Sequence, residues 1–247
     1  MERRTSFLLV FLLVASAVTV ILPSVNALNE TIYVPRGSKP VMDGLIEPGE
    51  WSHAANVSFA TDGGICTIYF KHAESSLYVA FDMPYQKPES AAQVFLDTNN
   101  DKATAPQTDD YRLYITRSGL NYKENRGTGT TWDSSNIPSG WMAMVQVIDS
   151  SRWNAEFNIS FAKLNITEPI CDKVTGIMFI NAWTGSGDYY WPSGAFWTNP
   201  STWATAYWCQ KIVGGELVSN PIPSPLIAVA VVAVASTVVL GYMFKRK

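Results

Sequence analysis

Asp97, Asn99 and Asp101 place three side-chain oxygens at alternating positions of one short polar run, Asp97-Thr98-Asn99-Asn100-Asp101. Calcium takes roughly six to eight oxygen ligands, drawn from carboxylates, amides and backbone carbonyls. A loop with such groups at i, i+2 and i+4 can wrap one cation, and Asp109 or Asp110 completes the shell from the next strand. No glycine stands at the sixth loop position and no glutamate at the twelfth, so this is not an EF-hand. The competing role is a plain polar turn, since Asp and Asn are good turn formers.

A second constellation is aromatic. Five tryptophans fall within 26 residues, Trp183, Trp191, Trp197, Trp203 and Trp208, with Tyr189, Tyr190 and Phe196 interleaved. Gly185, Gly187, Pro192, Gly194 and Pro200 mark this stretch as loops. Aromatic side chains on loops have no core to fill, and exposed apolar area of this kind marks binding sites. Sugar rings present flat C–H faces to an aromatic plane and hydroxyls at their edges. Asn181, Asp188, Asn199 and Gln210 are at hand for the hydroxyls. Trp183, Tyr190, Trp191 and Trp197 are therefore candidate ligand contacts, with Trp132 and Trp141 from an earlier loop as partners. Core packing competes with this role and is assigned to Trp51, Trp153 and Trp208. Contact with a membrane interface, where tryptophan is enriched, is a third use of the same loops.

Other chemistries find little support. There are two histidines, His53 and His72, and no G-x-S-x-G elbow. Glycoside hydrolysis needs two carboxylates facing across a cleft, and nothing in the spacing of Asp109, Asp110 and Glu156 indicates such a pair. The expectation is a non-catalytic protein. The absence of CxxC and Cys/His clusters argues against zinc. Cys66, Cys171 and Cys209 predict one disulfide and one buried thiol, with the pairing open.

These residues must be positioned by strands. Runs 65–70, 77–81, 92–96, 111–115, 142–148, 174–180 and 206–213 are rich in apolar, β-branched and aromatic residues. Trp153, Ala155, Phe157 and Ile159 alternate with Asn154, Glu156, Asn158 and Ser160, a strand with one wet face. Helical periodicity is nearly absent from the body, which predicts an all-β, antiparallel β-sandwich of immunoglobulin-like or jelly-roll-like type.

The ends read differently. Arg3 and Arg4, the apolar run 7–22 and Val25-Asn26-Ala27 predict a signal peptide over 1–27. Leu226 to Phe244 is an uncharged run of 19 residues, the length of a transmembrane helix. Lys245-Arg246-Lys247 after it predicts a cytoplasmic tail and an outward-facing body, residues 28–218, on a short Pro-rich stalk over 219–225. Of the 18 basic and 21 acidic residues, 13 and 20 lie between these ends, and so acidic a body is a poor partner for nucleic acid. Asn29, Asn56, Asn158 and Asn165 begin N-glycosylation sequons, consistent with export to the cell surface.

One resemblance joins the strands and motifs. Asp43-Gly44 followed by Glu50-Trp51 resembles the "DG-x-x-x-x-x-E-W" opening of family 9 carbohydrate-binding modules and their DOMON-like relatives. Leu77-Tyr78-Val79-Ala80-Phe81, Val94 to Asp101, Asp109-Asp110-Tyr111 and Trp153 to Leu164 are similar to later segments of the family in the same order. Ser160 stands where the family usually has proline. The likeness spans about residues 32 to 213. It implies a β-sandwich that binds carbohydrate, a nutrient polysaccharide or an envelope glycan, often with structural calcium, and any enzyme partner would be a separate chain. The DOMON-like relatives imply an alternative, a b-type haem in an electron-transfer domain, with His72 and Met83 as axial candidates. Covalent haem is ruled out by the lack of C-x-x-C-H. A structural surface protein without a small ligand is the remaining alternative.

Overall fold

The computed structural model describes residues 30–84, 87–134, 138–167, 173–183, 187–208, 212–213 and 216–217. The expected signal peptide, stalk and span lie outside them, as do Asn29, Cys171, Cys209 and Gln210. No helix among the described residues is long and apolar enough to cross a membrane.

Period-two alternation builds thirteen strands: β1 (Thr31–Tyr33), β2 (Ala55–Thr61), β3 (Gly64–Ala73), β4 (Ser76–Pro84), β5 (Ala91–Asp97), β6 (Asp110–Thr116), β7 (Tyr122–Gly127), β8 (Trp132–Asp133), β9 (Trp141–Val147), β10 (Arg152–Ser160), β11 (Val174–Trp183), β12 (Gly187–Trp191) and β13 (Ala204–Tyr207). The larger sheet has the order β1-β13-β11-β5-β6-β7-β8, with β12 also on β11. The smaller has the order β2-β3-β4-β10-β9. All pairs are antiparallel except β1 with β13, which run parallel. A separate C-terminal unit carries a two-stranded pair, β14 (Ile212–Val213) and β15 (Glu216–Leu217).

The core lies between the sheets. Leu77, Val79, Phe81 and Met83 of β4 and Phe157 and Ile159 of β10 meet Val94 and Leu96 of β5, Leu113 and Ile115 of β6, and Ile177 and Phe179 of β11. Cys66 is a buried member of this core. Strand β5 is buried along its whole length. Its inner residues fill the core, while Phe95 on its outer side is covered by Ala195 and Trp203 of the segment that follows β12. That double coverage explains the near-continuous apolar run in its sequence.

Two expectations change. The strand expected over 206–213 spans Ala204–Tyr207. The glycine- and proline-broken aromatic stretch contains a real strand, β12, whose side chains alternate between the core and the outer face.

The opening motif becomes a strap over the smaller sheet. Trp51 packs with Ala73, Tyr78 and Ala80 on that sheet's outer face, supported by Met42 and Ile46. Glu156 of β10 is fully buried beneath the strap and accepts hydrogen bonds from Asp43 N (3.1 Å), Gly44 N (2.8 Å) and Trp51 Nε1 (3.2 Å). Gly44 has φ 86°, and a Cβ there would lie 2.7 Å from the Val145 carbonyl carbon, so only glycine delivers that N–H. Lys71 Nζ closes the strap by donating to Glu50 O at 2.5 Å and sits 5.1 Å from the centre of the Trp51 ring. Burial pushes the Glu156 carboxyl up to about 7, with the Glu50 charge adding to the shift and the three donors opposing it.

Candidate functional site: an aromatic platform beside a carboxylate cluster

Strand register stacks the outer face of the larger sheet in rows. Gly176, Asp97 and Asp110 form the first, from β11, β5 and β6. Met178, Phe95, Arg112 and Asn125 form the second, and Tyr190, Ile180, Gln93, Tyr114 and Lys123 the third. The first row is acidic; the next two are aromatic and polar.

The first row gathers the carboxylates. Ligand oxygens of Asp97, Asp109 and Asp110 all lie within 4.8 Å of one another. Asp97 and Asp110 are fully buried. Asp110 Oδ2 accepts from Gln107 N at 2.7 Å, while its buried Oδ1 has no hydrogen-bond partner. Burial pushes the Asp110 carboxyl up to about 8, and the charges of Asp97, Asp109 and Asp101 add to the shift against the Gln107 N–H. Asp97 is raised too, first by burial and then by Asp101 and Asp109, while the N–H groups of Lys102 and Asn100 oppose the rise. Crowded buried carboxylates with an orphaned oxygen suit a hard divalent cation, which supplies the missing partner and cancels the repulsion. Asn99 and Asp101 shape the loop beside them. Asn99 Oδ1 accepts from Asp101 N at 2.8 Å, and Asp101 Oδ1 from Ala103 N at 2.9 Å, both side-chain-to-backbone turns.

The second and third rows carry the platform. Arg112 Nε donates to Gln93 Oε1 at 2.8 Å, which fixes the guanidinium plane. That guanidinium lies 5.0 Å from the Tyr114 ring centre, 5.4 Å from Trp197 and 5.7 Å from Phe95. Burial lowers the Arg112 pKa, and the Tyr114 and Asp188 charges oppose that. The loop after β12 covers the face. Phe95, Met178, Ile180, Ala195 and Trp203 are buried together, with Trp132 and Tyr190 packed against them. Trp132 and Trp203 lie parallel, 6.4 Å apart at 3°. Trp132 Nε1 donates to Trp197 O at 3.2 Å. Trp197 and Phe196 remain exposed at 39% and 59%. Asn125, across from Arg112, is buried and its Oδ1 lacks a partner.

Three of the six candidate aromatic contacts thus come together on one face: Trp132, Tyr190 and Trp197. Two point elsewhere. Trp191, expected on a loop, alternates inward at the end of β12, is 8% exposed and stacks on Phe179 at 5.9 Å. Trp141 is 8% exposed, stacks on Tyr122 at 4.2 Å and donates from Nε1 to Glu124 Oε2 at 2.8 Å. For Trp183 only the backbone is described, paired with Gly187. Trp51, Trp153 and Trp208 are buried. Arg112, Gln93, Phe95, Tyr114 and Trp203 were not anticipated. The signal for Arg112 is there, in the alternation Asp110, Arg112, Tyr114 along one strand face.

The remaining candidates scatter. Leu77, the residue opposite His72, and Met83 are six positions apart on β4, about 20 Å of strand, too far for His72 and Met83 to hold one iron. Glu156 lies on the outer face of the smaller sheet, on the far side of the sandwich from Asp109 and Asp110. Asn56 and Asn165 are exposed, and Asn158 is half-buried in β10.

Two loops approach closely where β7 pairs with β8, the strand that carries Trp132. Gly127 at the end of β7 admits the Pro106-Gln107 backbone so closely that a Cβ would lie 2.0 Å from Gln107 O. Gly129 N also donates to Pro106 O at 2.8 Å. Gly127→Ala should therefore cost about 1–3 kcal/mol as an overpacked contact. Chemical denaturation checks this, and an unchanged midpoint would contradict the packing described.

No protein-family model and no curated protein matches the sequence. Solved structures do match. A carbohydrate-binding module of family 9 from Caldicellulosiruptor kristjanssonii, in complex with cellotriose, superposes with TM-score 0.55 at 20% identity, over 78% of this chain and 100% of its own. The same module in complex with glucose gives TM-score 0.55 at 19% identity, again over 78% and 100%. A candidate carbohydrate-binding protein from Bacteroides uniformis gives 0.53 at 8% identity, over 72% and 99%. The chain carries a β-sandwich like that of the family 9 carbohydrate-binding modules.

Proposed function

We propose that the protein is a non-catalytic carbohydrate-binding module held at the cell surface, with a divalent cation, calcium by its oxygen donors, stiffening the site. The carrying observation is the outer-face platform, where exposed Trp197 stands over an Arg112 fixed by Gln93. Flat rings suit the C–H faces of a sugar, and Arg112, Asn125 and Asp188 suit its hydroxyls. The cellotriose and glucose bound by the family 9 module of the same fold support this class of ligand. Asp97, Asp109 and Asp110 would hold the cation. Anchoring rests on sequence. The apolar run 226–244 and the basic tail after it support a single-pass span with the sandwich outside and the C-terminus cytoplasmic.

A glycan array probed with the full-length chain in calcium tests this reading. Retention of one glycan class is expected, with the signal lost in Trp197→Ala. A folded chain that binds nothing on the array would favour the structural surface protein.

A further inference from the structure

The carboxylate cluster and the aromatic platform are joined through one side chain. Lys102 follows the acidic loop in a left-handed backbone conformation, φ 55°. Its own N–H donates to Asp97 Oδ2 at 3.2 Å. Its Nζ reaches the other way and donates to Trp203 O at 2.7 Å and Ala204 O at 3.3 Å. A second tie runs beside it, from Ser201 N to Ala103 O at 2.9 Å. Trp203 is fully buried, packs edge-on against Phe95 at 5.6 Å and lies parallel to Trp132. A lysine drawn out of water to cap two carbonyls costs desolvation, and burial lowers its pKa while the Asp97 charge opposes that.

We propose that cation occupancy of the Asp97, Asp109 and Asp110 cluster and the position of the aromatic platform are coupled, and that Lys102 is the positioning residue carrying the coupling. The inference rests on the cation reading above. A cation that draws the three carboxylates together fixes Asp97, and with it the loop bonded to Asp97 Oδ1 and Oδ2 through Asp101 N and Lys102 N. Lys102 Nζ passes that constraint to the Trp203 backbone, and Trp203 sets Trp132, whose indole holds the Trp197 carbonyl. By linkage, a ligand on the platform tightens cation binding by the same factor.

The test uses the full-length chain and calcium chloride alone. Calorimetry reads cation binding, and tryptophan emission reads the platform. In the wild type, heat and emission should change with one midpoint. Lys102→Met should bind calcium no more weakly, because a positive charge beside Asp97 is gone, yet lose the emission change. Lys102→Arg, whose guanidinium can cap the same carbonyls, should restore it; if the methionine variant does not fold, Lys102→Gln replaces it. An emission change that survives intact in the calcium-bound neutral variant would overturn the coupling role of Lys102. Absence of any calcium heat in the wild type would overturn the cation reading itself and the coupling with it.

Discussion

Stripped of divalent cations, the protein is expected to lose stability steadily as the pH rises from about 4 to about 8, and calcium is expected to abolish most of that loss. Asp110 starts from 3.8 in the open chain and is pushed up to about 8 in the fold, and Asp97 is raised with it. Below pH 4 both groups hold their protons in either state, so folding costs nothing on their account. Between the two values the unfolded chain gives up protons that the folded chain retains. The unfolded state then binds fewer protons, and stability falls with pH. Above about 8 the loss is complete, on the order of several kcal/mol. A cation bound to the ionised cluster would depress those folded values and so remove their share of the decline. Glu156, pushed up to about 7, adds a smaller decline in the same window, remote from the cluster. That remnant should persist in calcium and disappear in Glu156→Gln. Asp97→Ala should remove the calcium effect. Thermal unfolding from pH 4 to 9, in calcium and in chelator, checks both; superimposable curves would remove the cation from the account.

Lys163→Ala is expected to be the most damaging single truncation away from the site. Lys163 Nζ lies 2.7 Å from Glu124 Oε1, with both side chains almost wholly buried. Glu124 also accepts from Trp141 Nε1 at 2.8 Å and Ser139 N at 3.3 Å, and Lys163 Nζ sits 4.2 Å from the centre of the Tyr111 ring. The pair links β7 of the larger sheet to the turn after β10 of the smaller one. Removing the cation strands a buried carboxylate, a loss of about 3–5 kcal/mol. For a chain of this size that is roughly 10 °C in Tm. The double variant Glu124→Gln with Lys163→Met keeps an acceptor for Trp141 and removes both charges. It should recover most of the loss, because the ion pair itself adds little net stability over well-packed neutral groups. A double variant as unstable as Lys163→Ala would mean that the attraction itself stabilises the fold.

The sandwich was largely legible because its strands obey a period of two. Trp153 to Ser160 alternates cleanly in residue type, but the side expected to be wet is buried at Asn154 and Glu156, the latter covered by the strap that carries Gly44 and Trp51. The opening motif was legible as a resemblance, and the structure supplies its reason: Gly44 and Trp51 exist to satisfy Glu156, more than a hundred residues away. Sequence distance hid that pairing. The carboxylate cluster was half legible. Asp97, Asp109 and Asp110 converge because β5 and β6 pair in register, whereas Asn99 and Asp101 also accept turn hydrogen bonds that look identical in sequence. The tryptophans were hardest. Glycine and proline around β12 imitate a loop, so the inward turn of Trp191 and outward turn of Tyr190 could not be told apart. Arg112 was missed because a lone charge in a strand reads as a wet surface residue, and only the fold shows aromatic rings on its flanks.

On the proposed function, sugar binds the outer face of the larger sheet. Isothermal titration of the array-selected glycan into Trp197→Ala and into Trp191→Phe, each shown folded, tests it most directly. Affinity should be lost in the first and kept near wild type in the second, because Trp191 lies in the core and Trp197 on the platform. Retained affinity in Trp197→Ala with loss in Trp191→Phe would place the ligand elsewhere and contradict the account.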